Sequence, residues 1–92
     1  MMYDVLLQPE ALDELVRMSP RDGQRLLKRI QFLGRNLDEM EHEALHGPLA
    51  GGFKLRAGDY RIAYDFARAE RILRILDVGH RSDIYKRGID WR

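Results

Sequence analysis

Two runs of alternating apolar and polar residues, 53–57 and 60–66, constrain the fold of this chain more than any other feature. Such period-two alternation is typical of strands that bury one face and expose the other. The runs flank Gly58 and Asp59, and glycine readily adopts the positive φ that a two-residue turn requires. The sequence therefore predicts a β-hairpin that is closed by these two residues.

The register of this hairpin sorts its side chains onto two faces, because directly opposite residues point to the same side of a sheet. Arg56 then lies opposite Arg61, and like charges in that position destabilise a strand pair. A hairpin that keeps such a pair suggests that a polyanion binds there; the alternative interpretation is a solvated strand face. The predicted apolar face holds Phe53, Leu55, Ala57, Tyr60, Ile62 and Tyr64, and the predicted basic face holds Lys54, Arg56 and Arg61.

The length and composition suit one small domain, residues 1–92, with a single two-layer core. The chain has no cysteine, which excludes disulfides and thiolate metal sites and favours a reducing compartment. Neither a signal peptide nor a membrane-spanning run is recognisable, so we expect a cytoplasmic protein without a membrane partner. Basic residues outnumber acidic ones in residues 51–92 but not in residues 1–50, so the positive field belongs to the half with the hairpin.

The first part of the chain predicts one short strand and two helices. Residues 3–8 alternate as a strand does and end at Pro9, which suits the first turn of a helix over residues 10–18. Ser19 is the expected N-cap of a second helix that extends to about Arg35. The basic residues of that helix are expected to form a solvated face. They are Arg21, Arg25, Lys28, Arg29 and Arg35.

The rest of the chain adds a connector before the hairpin and one strand after it. Residues 37–50 are predicted to form a polar, turn-rich connector; its His42 and His46 have a spacing that could bind metal on a helix, but we expect both to be solvated. Residues 72–79 are apolar at nearly every position, which is typical of a central strand covered on both faces. Basic and aromatic residues follow directly, namely His80, Arg81, Tyr85, Lys86 and Arg87.

The order of these elements is β-α-α-β-β-β. It predicts an α+β domain in which the N-terminal helical hairpin packs on a small, largely antiparallel sheet. The place of the first strand in that sheet stays open. Because sites are commonly built at strand ends and in the adjoining loops, the basic face of the hairpin and the residues after the last strand form the candidate site.

The candidate site is rich in cations and contains neither a recognisable nucleophile nor a set of metal ligands. No serine lies in a nucleophile elbow, no Walker or dinucleotide glycine motif is present, and paired carboxylates are missing. Arginine clamps phosphate oxygens, a lysine crowded by cations can act as a base, and histidine transfers protons near neutral pH. This combination permits attack of a ribose 2′-hydroxyl on its adjacent phosphate, and it permits RNA binding without cleavage equally well. The candidates are Lys54, Arg56, Arg61, His80, Arg81 and Tyr85.

Three motifs resemble those of the RelE/ParE superfamily of type II toxins. They are Leu45-x-Gly47-Pro48-Leu49-x-Gly51, Lys54-Leu55-Arg56-x-Gly58-Asp59-Tyr60-Arg61-Ile62-x-Tyr64 and Val78-Gly79-His80-Arg81-x-x-x-Tyr85. The resemblance covers essentially the whole chain and favours the RelE-like members. It implies ribosome-dependent cleavage of mRNA in the A site, without a cofactor or metal. It also implies a cognate antitoxin that wraps the toxin, is acidic and partly disordered alone, and provides the toxin's only link to operator DNA.

The resemblance also implies roles for individual residues. Lys54 resembles the base, Arg61 the arginine that stabilises the phosphate, and Arg81 the residue that stabilises or protonates the leaving group. Tyr85 resembles the ring that stacks on the mRNA. The remaining basic residues expected to bind substrate are Arg56, Lys86 and Arg87.

Two departures from the family pattern and one related branch leave alternatives. Gly52 stands where some RelE members have a further lysine, and His80 stands where others have lysine and could supply the acid in place of Arg81. The ParE branch shares the fold but poisons DNA gyrase and lacks this basic-plus-tyrosine set. We therefore predict an mRNA nuclease, with a gyrase poison or a catalytically silent antitoxin- or RNA-binding module as the alternatives.

Overall fold

The computed structural model describes residues 2–86, except for the side chain of Tyr85. The elements in chain order are β1 (Asp4–Leu7), α1 (Pro9–Arg17), α2 (Pro20–Asn36), β2 (Glu43–Ala44), β3 (Phe53–Ala57), β4 (Tyr60–Ala67), β5 (Ile72–His80) and α3 (Arg81–Lys86). Single 3₁₀ turns lie at Leu37–Glu39 and Gly47–Leu49.

The five strands form one sheet in the order β1-β5-β4-β3-β2. β1 runs parallel to β5, and all other neighbours are antiparallel. The predicted α+β class, with a helical hairpin on a largely antiparallel sheet, is confirmed. The structure also places the first strand, which the sequence left open: β1 lies at one edge of the sheet, so that β5 is an inner strand as predicted.

The two long helices form for the local reasons that the sequence indicates. Ser19 is the N-cap of α2, and its Oγ accepts a hydrogen bond from the Asp22 N–H at 3.2 Å. One side of α2 buries Leu26, Ile30 and Leu33 in the core. Its five basic residues are all exposed. No helix within residues 2–86 is long and apolar enough to span a membrane.

The β3–β4 hairpin has the predicted register. Ala57 pairs with Tyr60, and Arg56 pairs with Arg61. Gly58 has a φ of +63°, although a Cβ added there would meet nothing within 4 Å. The backbone conformation of the turn, rather than lack of space, therefore requires glycine. The predicted apolar face of the hairpin packs into the core beneath the helices.

The connector before the hairpin differs from the prediction. Instead of a strandless segment it contains β2, which pairs with the first half of β3. His42 is half-buried rather than solvated, with its ring centroid 5.0 Å from Phe66 and 5.5 Å from Phe53. Its Nε2 donates to the Leu37 carbonyl at 2.9 Å, and Nδ1 lies 2.5 Å from the Tyr64 hydroxyl. Burial raises the pKa of Tyr64, which stays a neutral donor to this ring.

The segment after β5 is helical rather than a loop. α3 begins directly after His80, the last residue of the strand. Its Ile84 is buried against Leu45 and Ala63. Ala63 lies between Ile62 and Tyr64 in β4, and neighbouring residues of a strand point to opposite faces. α3 therefore covers the side of the sheet that faces away from α1 and α2.

Candidate active site

The hairpin places three cations on the side of the sheet that faces away from α2. Lys54 pairs with Ala63, and Arg56 pairs with Arg61 across the two strands. In β5, Gly79 lies opposite Arg61. We call this surface, formed by Lys54, Arg56 and Arg61, the cationic face.

Two carboxylates share the row of the sheet that contains Lys54. Glu43 of β2 lies opposite Lys54, and Asp77 of β5 lies opposite Ala63 on the far side. Lys54 is 7% exposed and Asp77 is 8% exposed, and they are the only buried charged residues in the described part of the chain. Asp77 was not among the predicted site residues. The available signal was a carboxylate within a mostly apolar strand, because acidic residues are rarely buried unless they have a partner.

The hairpin turn gathers Arg61 and the start of α3. The Arg61 Nη1 donates to the carbonyls of Gly58 at 2.8 Å and Tyr60 at 2.9 Å. Between them, the Asp59 carbonyl accepts the backbone N–H of Arg81 at 2.8 Å. The turn therefore holds one arginine by its guanidinium and anchors the backbone of another. The Arg81 residue itself is exposed.

His80 lies on the other side of the sheet from the cationic face. It pairs with Tyr60, whose side chain points toward α2, and the two rings meet edge to face at 5.8 Å. His80 Nδ1 lies 2.9 Å from the Ser82 hydroxyl oxygen and 3.3 Å from the Ser82 backbone nitrogen. The Tyr60 hydroxyl donates to Asp22 Oδ2 at 2.9 Å, and this bond raises the pKa of Tyr60. The sheet register thus separates His80 from Lys54.

The remaining predicted site residues lie in or after α3. Tyr85 is part of that helix, and Lys86 is its last residue and is exposed. Arg87 lies outside the described residues. α3 begins at the hairpin turn. Of the predicted site residues in this helix, Arg81 is therefore the one whose backbone is anchored beside the cationic face.

Gly52 is a position where the structure explains a departure from the family pattern. A Cβ at this position would lie 3.0 Å from the Tyr64 carbonyl oxygen and 3.3 Å from that of Leu49. A Leu76 methyl group would also be 3.3 Å away. Two of these neighbours are backbone atoms that do not move aside easily. A second lysine therefore does not fit beside Lys54 unless the Leu49 turn shifts.

The predicted alternative of a metal site at His42 and His46 receives no support. His42 binds the core through both ring nitrogens, and His46 is exposed. Within residues 2–86, no group of three or more His, Cys, Asp or Glu side chains is arranged to hold a metal ion.

The geometry agrees with the family comparison. The model of a family described as the ParE toxin of type II toxin-antitoxin system, parDE, matches residues 5–85. The chain belongs to this family. No curated protein sequence matches the chain significantly.

Solved structures with the same fold are RelE toxins and their complexes. One is the toxin-antitoxin complex RelBE2 from Mycobacterium tuberculosis, with 28% identity, a TM-score of 0.78 and coverage of 90% of this chain and 95% of that chain. The archaeal RelE–RelB complex from Pyrococcus horikoshii has 22% identity, a TM-score of 0.69 and coverage of 88% and 97%. The isolated E. coli RelE toxin has 18% identity, a TM-score of 0.68 and coverage of 92% and 97%. The chain is thus a type II toxin of the RelE/ParE superfamily with a RelE-like fold.

Proposed function

We propose that this toxin is a metal-independent endoribonuclease that cleaves mRNA in the ribosomal A site. The observation that carries the proposal is the hairpin turn. It fixes the Arg61 guanidinium beside the backbone of Arg81, at the end of a face that also bears Lys54 and Arg56. Several preorganised cations on one surface stabilise the charge that develops on a phosphate during cleavage.

The proposed reaction breaks one P–O bond and forms another. Lys54 takes the proton of the ribose 2′-hydroxyl, whose oxygen attacks the adjacent phosphorus. Arg61 stabilises the charge on the phosphorane oxygens. Arg81 stabilises the departing 5′-oxygen and is the candidate donor of the proton that this oxygen takes up. The products are a 2′,3′-cyclic phosphate and a free 5′-hydroxyl. Because its ring faces α2, His80 is a weaker candidate for the acid than Arg81.

The proposed contacts to the RNA bases and to the neighbouring phosphates come from residues in and after α3 and from β3. Tyr85 stacks on a base of the mRNA, and a tyrosine in that role is worth on the order of 1–3 kcal/mol per base. Arg56, Lys86 and Arg87 bind neighbouring phosphates. Removing the Tyr85 ring should therefore slow cleavage less than removing Lys54, since positioning is lost but proton transfer is kept.

The proposed macromolecular partners are the ribosome and a cognate antitoxin of the RelB type, as in the similar complexes from Mycobacterium tuberculosis and Pyrococcus horikoshii. An acidic, partly disordered antitoxin complements the cationic face. A shallow groove of about 330 Å³ on the same side of the sheet, lined by Leu6 and Ile72 with Asp65 and Arg74 beside them, suits an amphipathic helix. Contact with operator DNA is through the antitoxin, and the place of action is the cytoplasm.

The proposal is tested by mapping mRNA ends on translating ribosomes. The wild-type toxin should produce 2′,3′-cyclic or 3′-phosphate ends without added metal, and Lys54→Ala should not. Lys28→Ala, which changes an exposed lysine on the outer side of α2, is the matched control. Toxicity that survives the combined Lys54→Ala and Arg81→Ala substitutions would rule out this mechanism.

A gyrase poison is the second candidate function. The specific observation in its favour is the match of residues 5–85 to a family described by its parDE members. In addition, the backbone atoms close to Gly52 leave no room for a second lysine at this position. Inhibition of DNA supercoiling by the purified toxin, with intact mRNA on translating ribosomes, would favour this function over the nuclease.

A further inference from the structure

A groove of about 670 Å³ lies between α2 and the tip of the β3–β4 hairpin, on the opposite side of the sheet from most of the cationic face. α2 contributes Arg25 and Arg29, which are four residues apart and so lie on the same side of the helix. β3 contributes Arg56 from across the groove. The groove therefore carries two arginines on its α2 wall and meets Arg56, a residue of the cationic face, at its hairpin edge.

None of these three arginines forms an ion pair with a carboxylate in the described residues, whereas Arg17, Arg68, Arg71 and Arg74 all do. The guanidinium of Arg29 only lies over the Phe32 ring, 6.0 Å from its centre. Like charges four residues apart destabilise a helix, so Arg25 and Arg29 do not serve the stability of α2.

The acidic residues of the groove do not neutralise it. Asp22 and Asp59 are the two carboxylates in its lining. Asp22 accepts the hydrogen bond of the Tyr60 hydroxyl, and Asp59 lies in the exposed turn. The lining thus contains three arginines and two aspartates. One of the aspartates, Asp22, is hydrogen-bonded to a neutral tyrosine rather than to an arginine. The lining of the groove therefore keeps a net positive charge.

Two rings give the groove a place for a nucleobase. His80 and Tyr60 both line it, with the edge-to-face contact described above. Histidine and tyrosine rings stack on unpaired RNA bases, and arginine clamps phosphates. Arg56 lies opposite Arg61 in the hairpin and also lines the groove, so it connects this surface to the cationic face.

We propose that this groove binds the sugar-phosphate backbone of single-stranded RNA next to the phosphate that is cleaved. The strand passes from the cationic face, past Arg56 at the hairpin edge, to Arg25 and Arg29. The inference rests on the proposed nuclease function for its ligand, and it adds a binding site that the cleavage chemistry does not require. α2 of this chain is then a substrate-binding element rather than a solvated face.

The test measures the binding of a short 2′-O-methyl RNA, which cannot be cleaved, to the full chain across a range of salt concentrations. The double variant Arg25→Ala with Arg29→Ala should bind about tenfold more weakly. The slope of log K against log salt should fall by about 0.7 for each phosphate that the variant no longer binds. The matched double variant Lys28→Ala with Arg35→Ala removes two exposed α2 cations that do not line the groove, and it should bind as the wild type does.

Three outcomes would overturn the inference. Equal weakening by both double variants would show a diffuse charge effect. RNA binding unchanged in the groove variant would show that the groove is not used. Loss of binding to a poly-glutamate peptide, with RNA binding intact, would assign the groove to an acidic protein segment.

The two proposals fail in different ways. If the wild type binds RNA through the groove but does not cleave mRNA on ribosomes, the nuclease proposal fails and the groove stands. If the groove variant cleaves with unchanged kcat and KM, the groove proposal fails and the nuclease stands. The result expected when both hold is a higher KM with kcat little changed.

Discussion

The two ends of the sheet use arginine in opposite ways. At the end where β4 turns into β5, Arg68 and Arg71 share the carboxylate of Asp38, and Arg74 pairs with Asp65. We call these residues the paired end. At the hairpin tip, the arginines of the groove and of the cationic face make no ion pair within residues 2–86. Arginines that are matched with acids stabilise the fold, and those left unmatched are available to a ligand.

The larger of the two networks at the paired end is centred on the carboxylate of Asp38. The Tyr3 hydroxyl donates to Asp38 at 2.7 Å, and the Arg71 guanidinium donates at 2.8 Å while lying 4.1 Å from the Tyr3 ring centre. The hydrogen bond from Tyr3, followed by that from Arg71, holds the pKa of Asp38 below its usual range. This network joins the residue before β1, the 3₁₀ turn after α2 and the β4–β5 turn, so it ties three separate segments of the chain together.

The largest expected difference between the two ends is in catalysis. Arg61→Ala should lower the rate of mRNA cleavage on ribosomes by about 10²–10³, since one preorganised charge at the phosphate is removed. Arg74→Ala, at the paired end, should leave the rate near that of the wild type. Similar losses in both variants would mean that arginines contribute only through the overall positive field.

At the hairpin tip, a lysine in place of an arginine keeps the charge but changes the geometry of its hydrogen-bond donors. This change should lower the cleavage rate less than removal of the charge does. Arg81→Lys should slow cleavage by about tenfold or more, because an ammonium does not reproduce the bidentate contact of a guanidinium with phosphate. Single-turnover rates at saturating ribosomes measure this loss, with circular dichroism as the check on folding. A fully active lysine variant would show that charge alone suffices at this position.

For the stability of the fold, unlike for catalysis, a substitution at the paired end should have the larger effect. Asp38→Asn should lower the free energy of unfolding in urea and leave the cleavage rate unchanged, because it weakens the contacts to Arg68 and Arg71. The lowered pKa of Asp38 stabilises the fold above the unfolded-state pKa of about 3.9. The stability is lost as the pH falls through the lower folded-state pKa. In acid, the stability of Asp38→Asn should therefore depend less steeply on pH than that of the wild type.

The smallest expected effect on chemistry is at His80. His80→Ala should change kcat by less than about tenfold. Loss of a general acid or base typically lowers the rate by about 10²–10⁴. The effect of His80→Ala should be on KM, because the ring lines the groove rather than the cationic face. A large loss of kcat with unchanged KM would return the role of acid to His80.

Local chemistry made much of the fold predictable. The turn at Gly58, the Ser19 cap and the alternation in β3 and β4 are encoded by neighbouring residues. The hairpin register, and the helix bounds to within one residue, therefore followed from the chain alone. The register then placed Lys54, Arg56 and Arg61 on one face, because side chains alternate along a strand. The motifs around these residues were sufficient to indicate the superfamily.

Features that depend on distant segments were decided by the tertiary structure. The parallel pairing of β1 with β5, the burial of His42 and the orientation of His80 each depend on which strand lies next to which. The same holds for the arginines. Arg71 and Arg25 are alike in the sequence, but folding brings Asp38 to the first and no carboxylate partner within residues 2–86 to the second. The role of a charged residue depends on whether the fold brings an opposite charge close to it. The local sequence does not show the distance between two residues that are far apart in the chain.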